Sequence, residues 1–334
     1  LCKSLNYIYN MKKCCFIIPY FGKLPNYFQL FLNSCKCNSD YDWVLFTDDN
    51  SEFVYPSNVQ RILIDFEELK KLFQSKFDFE IELSRPYKLC DYKPAYGYVF
   101  QDYLKEYKCW GHCDIDLIFG KISHFITDDM LDIYDKLFCL GHLVIYKNTD
   151  VNNRIFMSEY NGQLLYKRVF TTPKIKVFDE ELCNADNVNQ IFLAKGKEVF
   201  QKDFSMNIFI FEKKFIRVKF EGANNGYRNA YSLEIPRDAI YFWKEGLLCR
   251  YLLENNQLVS EEFLYIHLQK RKMSYDVSLK MADMYQIMPN AFKKIKKLPK
   301  NIDEFEQFPK STICFQRMHL VYNDYICLLY TSDA

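Results

Sequence analysis

Asp114 and Asp116 stand one residue apart in the stretch CWGHCDIDLIFG, residues 109–120, among apolar and aromatic neighbours. Two carboxylates held that close raise each other's pKa unless a cation sits beside them. Along a strand, residues i and i+2 face the same side, which would aim both carboxylates alike. Hard divalent ions such as Mg²⁺ or Mn²⁺ take oxygen ligands and often bridge to phosphates. The pair therefore reads as a metal site, or as strand-end acids capping a turn in solvent. The apolar runs leading in and out of it favour the metal.

Further residue types suggest chemistry. Asp179, Glu180 and Glu181 lie in VFDEELCNADN, residues 177–187. A carboxylate there suits a general base that takes a proton from an attacking hydroxyl, although acid runs also mark solvated faces and helix starts. His267, in YIHLQKRKM, follows an apolar run and precedes a basic cluster. It reads equally as a ligand and as a packed core histidine. Cys109, His112 and Cys113 resemble half a zinc site but lack a second pair at ligand spacing; His112 reads better as packing. Trp243, with Gly246, is either a platform for a sugar face or a core ring.

The elements that must position these groups alternate. KCCFIIP predicts a buried strand, and a Pro/Gly-punctuated loop then leads to a helix starting near Pro25. YDWVLFTDDN gives a second strand ending in acids, and residues 59–64 a third, followed by a helix. Residues 93–107 read as helical, with Tyr96, Val99, Phe100, Tyr103 and Leu104 on one face, before the strand that carries the aspartates. Strands that are near-continuous apolar runs, separated by helices, predict an α/β fold with a mainly parallel sheet covered on both faces. Ligands of such sheets sit beyond the carboxyl ends of the strands. Pro19-Tyr20, Asp48-Asp49 and Asp114-Asp116 would all lie there. Beyond residue 137 the pattern turns to mixed α/β, with antiparallel strands and a turn at Glu254-Asn255-Asn256.

KLCDYKPAYG at 88–97, followed by WGHCDIDLIFG, resembles glycosyltransferases of the GT-A fold. Further landmarks are FIIPYFG at 16–22, FTDD at 46–49, GHLVIYKN at 141–148 and YIHLQKRKM at 265–273. Together they are similar to an uncharacterised glycosyltransferase-like family of bacterial surface-polysaccharide gene clusters, over roughly Met11 to Met273. The resemblance implies a GT-A, Rossmann-like sheet flanked by helices, with a C-terminal mixed α/β acceptor region. It implies that Asp114 and Asp116, completed by His267, hold Mn²⁺ or Mg²⁺ on the diphosphate of a nucleotide sugar, a UDP-sugar above others. Pro19, Tyr20, Asp48 and Asp49 would hold the nucleoside, as alternatives to turn and cap roles. Lys93 and Lys270 would face the diphosphate, and Asp91 would accept sugar hydroxyls. Asp91 and Pro94 equally suit a helix start. The acceptor implied is a glycan or lipid-linked glycan.

Composition bounds the rest. The chain has 334 residues, 18% of them aromatic, and a formal net charge of +1, with no concentrated basic face to suggest nucleic acid. Its 13 cysteines are odd in number and contain no CxxC, which predicts free thiols in a reducing cytoplasm. No apolar run is long enough for a membrane span. Lys293–Lys300 reads as a contact to an anionic inner-membrane face or as a solvated face. The expected division is a leader foreign to the protein at 1–10, a nucleotide-sugar half at 11–136 and an acceptor half of the same domain at 137–275. A helical extension at 276–325 and a foreign tail at 326–334 complete it. Two other readings remain: a metal-dependent phosphohydrolase or nucleotidyltransferase, and a non-catalytic carbohydrate-binding relative.

Overall fold

The computed structural model describes residues 11–181, 186–209, 214–222, 231–269 and 271–310. The expected segments 1–10 and 326–334, and Lys270, lie outside them. Strand β1 (Lys12–Pro19) runs between β2 (Tyr41–Thr47) and β4 (Tyr107–Cys113), and β3 (Val59–Leu63) lies outside β2. All four are parallel. β5 (Leu117–Phe119) turns off this sheet after the aspartates. β6 (Lys136–Leu137), β7 (Leu143–Lys147) and β8 (Val199–Phe200) complete a seven-stranded sheet in the order β3-β2-β1-β4-β7-β6-β8, with β7 antiparallel to β4 and to β6. This is the expected α/β architecture, a mainly parallel sheet flanked by helices.

Side-chain alternation explains the layers. Cys15 and Ile17 point into one core with Leu69 and Phe73 of the helix Phe66–Gln74. Cys14, Phe16 and Ile18 point into the other, with Phe28, Phe31, Leu32 and Cys35 of the helix Phe28–Lys36. The i, i+3, i+4, i+7 spacing of those four residues makes that helix a cover for the sheet. The second helix is started by Asp65, whose carboxylate accepts from Glu68 N while Glu68 reaches back to Asp65 N. The long helix expected over 93–107 is instead a succession of short 3₁₀ and α turns between Pro86 and Tyr103. Pro94 and Gly97 prevent a continuous helix there; Tyr96, Val99, Phe100 and Leu104 of the expected face still pack inward, while Tyr103 is exposed.

Three smaller sheets accompany the first among the described residues. β9 (Ser205–Asn207), β10 (Val218–Phe220) and β11 (Tyr231–Leu233) precede the hairpin strands β12 (Ala239–Lys244), β13 (Leu247–Glu254) and β14 (Gln257–Glu262). The pair β10-β11 is one of the three. β15 (Tyr265–His267) pairs with β5 on one side and β9 on the other. The turn between β13 and β14 has Asn255 and Asn256 at φ 50° and 57°, the two-residue hairpin geometry expected there. β16 (Met284–Met288) and β17 (Ala291–Lys294) join β12–β14 in a five-stranded antiparallel sheet. Over its described part, then, the segment expected to be a helical extension carries the two strands β16 and β17 between a 3₁₀ helix, Val277–Met281, and a short α-helix, Ile302–Glu306. MYQIM pairs edge to edge with β12 and buries Tyr285, Gln286 and Ile287 on both faces of that sheet. Trp243 is a core ring, stacked on Tyr285 at 5.2 Å and donating to Phe119 O at 2.9 Å, and not a sugar platform. No helix among the described residues is long and apolar enough to cross a membrane.

Trp110 of β4 fixes the turns over the sheet. Its ring stacks on Tyr146 at 4.3 Å and its Nε1 donates to Asn153 Oδ1 at 2.7 Å. A methyl group at Gly97 would lie 2.3–2.5 Å from the Trp110 indole. Gly97→Ala should therefore destabilise the protein by about 1–3 kcal/mol through overpacking. A lower urea midpoint with an unchanged m-value is the expected readout.

Candidate metal and catalytic site

β4 ends at Cys113, and the aspartates occupy the turn between β4 and β5, not a continuing strand. The alternation expected to align them therefore does not apply. Their convergence comes instead from backbone bonds on either side: Asp114 N donates to His142 O at 3.0 Å, and Leu268 N donates to Asp116 O at 3.0 Å. The second bond brings β15 alongside, with His267 opposite Leu117. His267 Nε2 lies 3.4 Å from Asp116 Oδ1 and 3.9 Å from Asp114 Oδ2. One ligand atom from each of Asp114, Asp116 and His267 falls within 4.8 Å of the others. Two carboxylates and an imidazole fit Mn²⁺ or Mg²⁺, the nitrogen suiting Mn²⁺ better. Burial works to lower the His267 pKa, but the charges of Asp116 and Asp114 outweigh it and hold it above the usual histidine value.

A second cluster adjoins the first through Lys93. Its Nζ donates to Asp114 Oδ1 at 2.9 Å and Gly141 O at 2.9 Å, and lies 3.4 Å from Asp179 Oδ2. Burial opposes the ammonium, yet Asp114 and Asp179 keep the pKa of Lys93 well above its ordinary value. Glu180 Oε2 accepts from Gly141 N at 3.0 Å. A Cβ at position 141 would sit 2.5 Å from Asp179 Oδ2, so only glycine lets this carboxylate pair approach the β7 entry. Burial pushes Asp179 up to about 7, despite Lys93, and burial also raises Glu180. A carboxyl such as that of Asp179 gains or loses a proton near neutrality, as a general acid or base requires.

The remaining expected residues divide. Pro19 closes β1 at the same edge, and Tyr20 is half-buried, its hydroxyl donating to Lys23 O at 3.2 Å. Burial first, and then the charges of Asp116, Asp49 and Asp48, raise its pKa. Asp48 Oδ1 accepts from Gly22 N and Asp49 Oδ2 from Leu24 N, each at 2.7 Å. Both acids thus tie down the loop that follows Tyr20. Asp91 is a correction. It is fully buried against Lys88 at 2.7 Å and accepts from the backbone of Lys176 and Phe178, so it anchors the segment leading to Asp179 and has no surface for a sugar. His112 is core packing, between the rings of Tyr96 and Tyr146. It faces the side of β4 opposite to Cys109 and Cys113, which excludes a shared zinc ion. The described cysteines are free thiols.

Sequence reasoning missed His142, Tyr265 and Asn207, which hold His267. The His142 ring lies 4.5 Å from that of His267, Tyr265 Oη meets His142 Nδ1 at 2.7 Å, and Asn207 Oδ1 meets His267 Nδ1 at 3.1 Å. His142 and Tyr265 lay inside quoted landmarks, but no spacing marks them as neighbours of His267.

Lys88 and Asp91 are both wholly buried. Asp91→Asn removes the counter-charge of a buried ammonium and should cost about 3–5 kcal/mol of stability. Denaturant unfolding measures it, and a loss of sugar binding without a loss of stability would contradict the anchoring role.

Among solved structures, the galactosyltransferase LgtC in complex with donor and acceptor sugar analogs is similar over 58% of this chain and 75% of that one, at 11% identity and a TM-score of 0.33. No curated protein matches. Residues 16–296 match a family model described as a family of unknown function, DUF6625, and the chain belongs to that family.

Proposed function

We propose that the protein is a metal-dependent glycosyltransferase that moves a sugar from a nucleoside-diphosphate sugar to a hydroxyl acceptor in bacterial surface-polysaccharide synthesis. The observation that carries this reading is the convergence of Asp114, Asp116 and His267 beside a lysine and a raised-pKa carboxyl pair. Mn²⁺ or Mg²⁺ held there supplies Lewis-acid neutralisation of a departing diphosphate. Lys93 adds a fixed positive charge on the same side. Asp179, with Glu180, accepts the proton of the attacking hydroxyl. Tyr20 and Pro19 border the nucleoside, held by the loop that Asp48 and Asp49 tie down, and Lys270 adds positive charge to the diphosphate. A UDP-sugar and a glycan or lipid-linked glycan are the proposed partners, met in the cytoplasm with Lys293–Lys300 toward the inner membrane face.

One observation favours the phosphohydrolase or nucleotidyltransferase reading: further acids, Asp179 and Glu180, do lie near Asp114. Two-metal sites place their ions about 3.5–4 Å apart between such acids. Here the Lys93 ammonium occupies the gap between Asp114 and Asp179, which opposes a second ion.

A panel of nucleotide sugars, nucleoside triphosphates and phosphate esters with Mn²⁺ or Mg²⁺ separates these readings. Metal-stimulated hydrolysis and thermal stabilisation are expected with a nucleotide sugar alone. Asp114→Asn and Asp116→Asn should abolish both and leave the apo protein folded; wild-type turnover in both variants sinks the assignment. Asp179→Asn and Glu180→Gln should lower kcat by about 10²–10⁴ while donor-induced stabilisation persists, if the pair acts as general base.

A further inference from the structure

We propose that Asn207 is the positioning residue of the metal site: its side-chain carbonyl fixes the His267 tautomer that turns the Nε2 lone pair toward an ion held by Asp114 and Asp116. This rests on the metal reading of that cluster given above.

The placement follows from register. β9 and β15 are parallel and hydrogen-bonded, with Asn207 the direct partner of His267. Cross-strand partners put their side chains on the same face, so the two must meet. Asn207 is 7% exposed, and nothing in that setting invites an amide except the groups beside it. Its Oδ1 lies 3.1 Å from His267 Nδ1 and also accepts from Gln269 Nε2 at 2.7 Å. The amide nitrogen of Gln269 only donates, so the atom it meets is a carbonyl oxygen. An imidazole nitrogen facing that oxygen carries its hydrogen. An imidazole that binds an ion is neutral and keeps one hydrogen; with that hydrogen on Nδ1 the Nε2 lone pair is free for the ion, and Nε2 is the nitrogen near Asp116 and Asp114.

The ring plane is fixed separately. His142 lies against His267 with a centroid separation of 4.5 Å and a tilt of 32°. His142 is itself held by the Tyr265 hydroxyl at 2.7 Å. Packing therefore sets where the ring lies, and Asn207 sets which nitrogen it offers. Groups that hydrogen-bond the far nitrogen of a metal-binding histidine typically change metal affinity by about 10- to 100-fold.

Mn²⁺ binding to the purified protein, read by the loss of the free-ion EPR signal, tests this without any turnover. Asn207→Leu, which removes the acceptor, should weaken Mn²⁺ about 10- to 100-fold, whereas Asn207→Asp, which keeps one, should bind within about threefold of wild type. Retention of wild-type affinity by the Leu variant, or equal weakening in a folded Asp variant, overturns the assignment. Should the Leu variant not fold, imidazole ¹⁵N spectra of the wild-type protein loaded with Mg²⁺ decide. A hydrogen on His267 Nδ1 supports it, and one on Nε2 overturns it. A wild-type protein that binds no ion overturns both this role and the metal reading; equal binding by wild type and the Leu variant overturns this role alone.

Discussion

The ammonium of Lys93 is shared by Asp114, Asp179 and the carbonyl of Gly141, and each of these comes from a different part of the chain. Without a cation at that point, the partly exposed carboxylate of Asp114 and the buried one of Asp179 would face each other unscreened. Opposite charges at such distances in a protein interior are worth several times what they are in water. The lysine thereby joins two clusters into one site: an oxygen-and-nitrogen set suited to a divalent ion, and a carboxyl pair suited to proton transfer. Its backbone lies in the broken helical turns between Pro86 and Tyr103, and those turns are locked down by Trp110 and by the buried Lys88–Asp91 pair.

The scaffold explains why this constellation lies where it does. Parallel strands β1, β2 and β4 end at one edge, so the loops beyond Pro19, Thr47 and Cys113 lie together there. The small sheet β5-β15-β9 then closes over that edge. It grows directly out of the aspartate turn through β5, and its central strand delivers His267. A residue more than 150 positions away in sequence thus reaches the aspartates through backbone pairing. Asp91 shows the converse. A charged residue close in sequence to Lys93 is drawn into the interior, where its carboxylate orders the segment that presents Asp179.

Much of the fold was legible. Apolar runs such as CCFII and WVLF are buried on both faces, and the alternation of strands with covering helices gave the parallel sheet correctly. The failures have a common origin. The region around KPAYGYVFQDY has a helical period but contains a proline and a glycine that break it, and periodicity alone does not weigh those against each other. The 276–310 segment has strands of four or five residues, too short for a periodic signal to stand out from a helical turn. Trp243 was ambiguous because a ring suits a core and a sugar equally, and only burial against Tyr285 separates them.

By itself the sequence determined the α/β class, the strand that leads to the aspartates, and the residue types able to hold a divalent ion, because hydrophobic period and ligand chemistry are local properties. Tertiary structure decided which of those residues meet. It turned the aspartates with a loop and not a strand, buried Asp91, and set Lys93 between Asp114 and Asp179. It also placed His142 and Asn207 around His267. Such contacts depend on strand register and on the packing of distant segments, and neither is encoded in the spacing of any one motif.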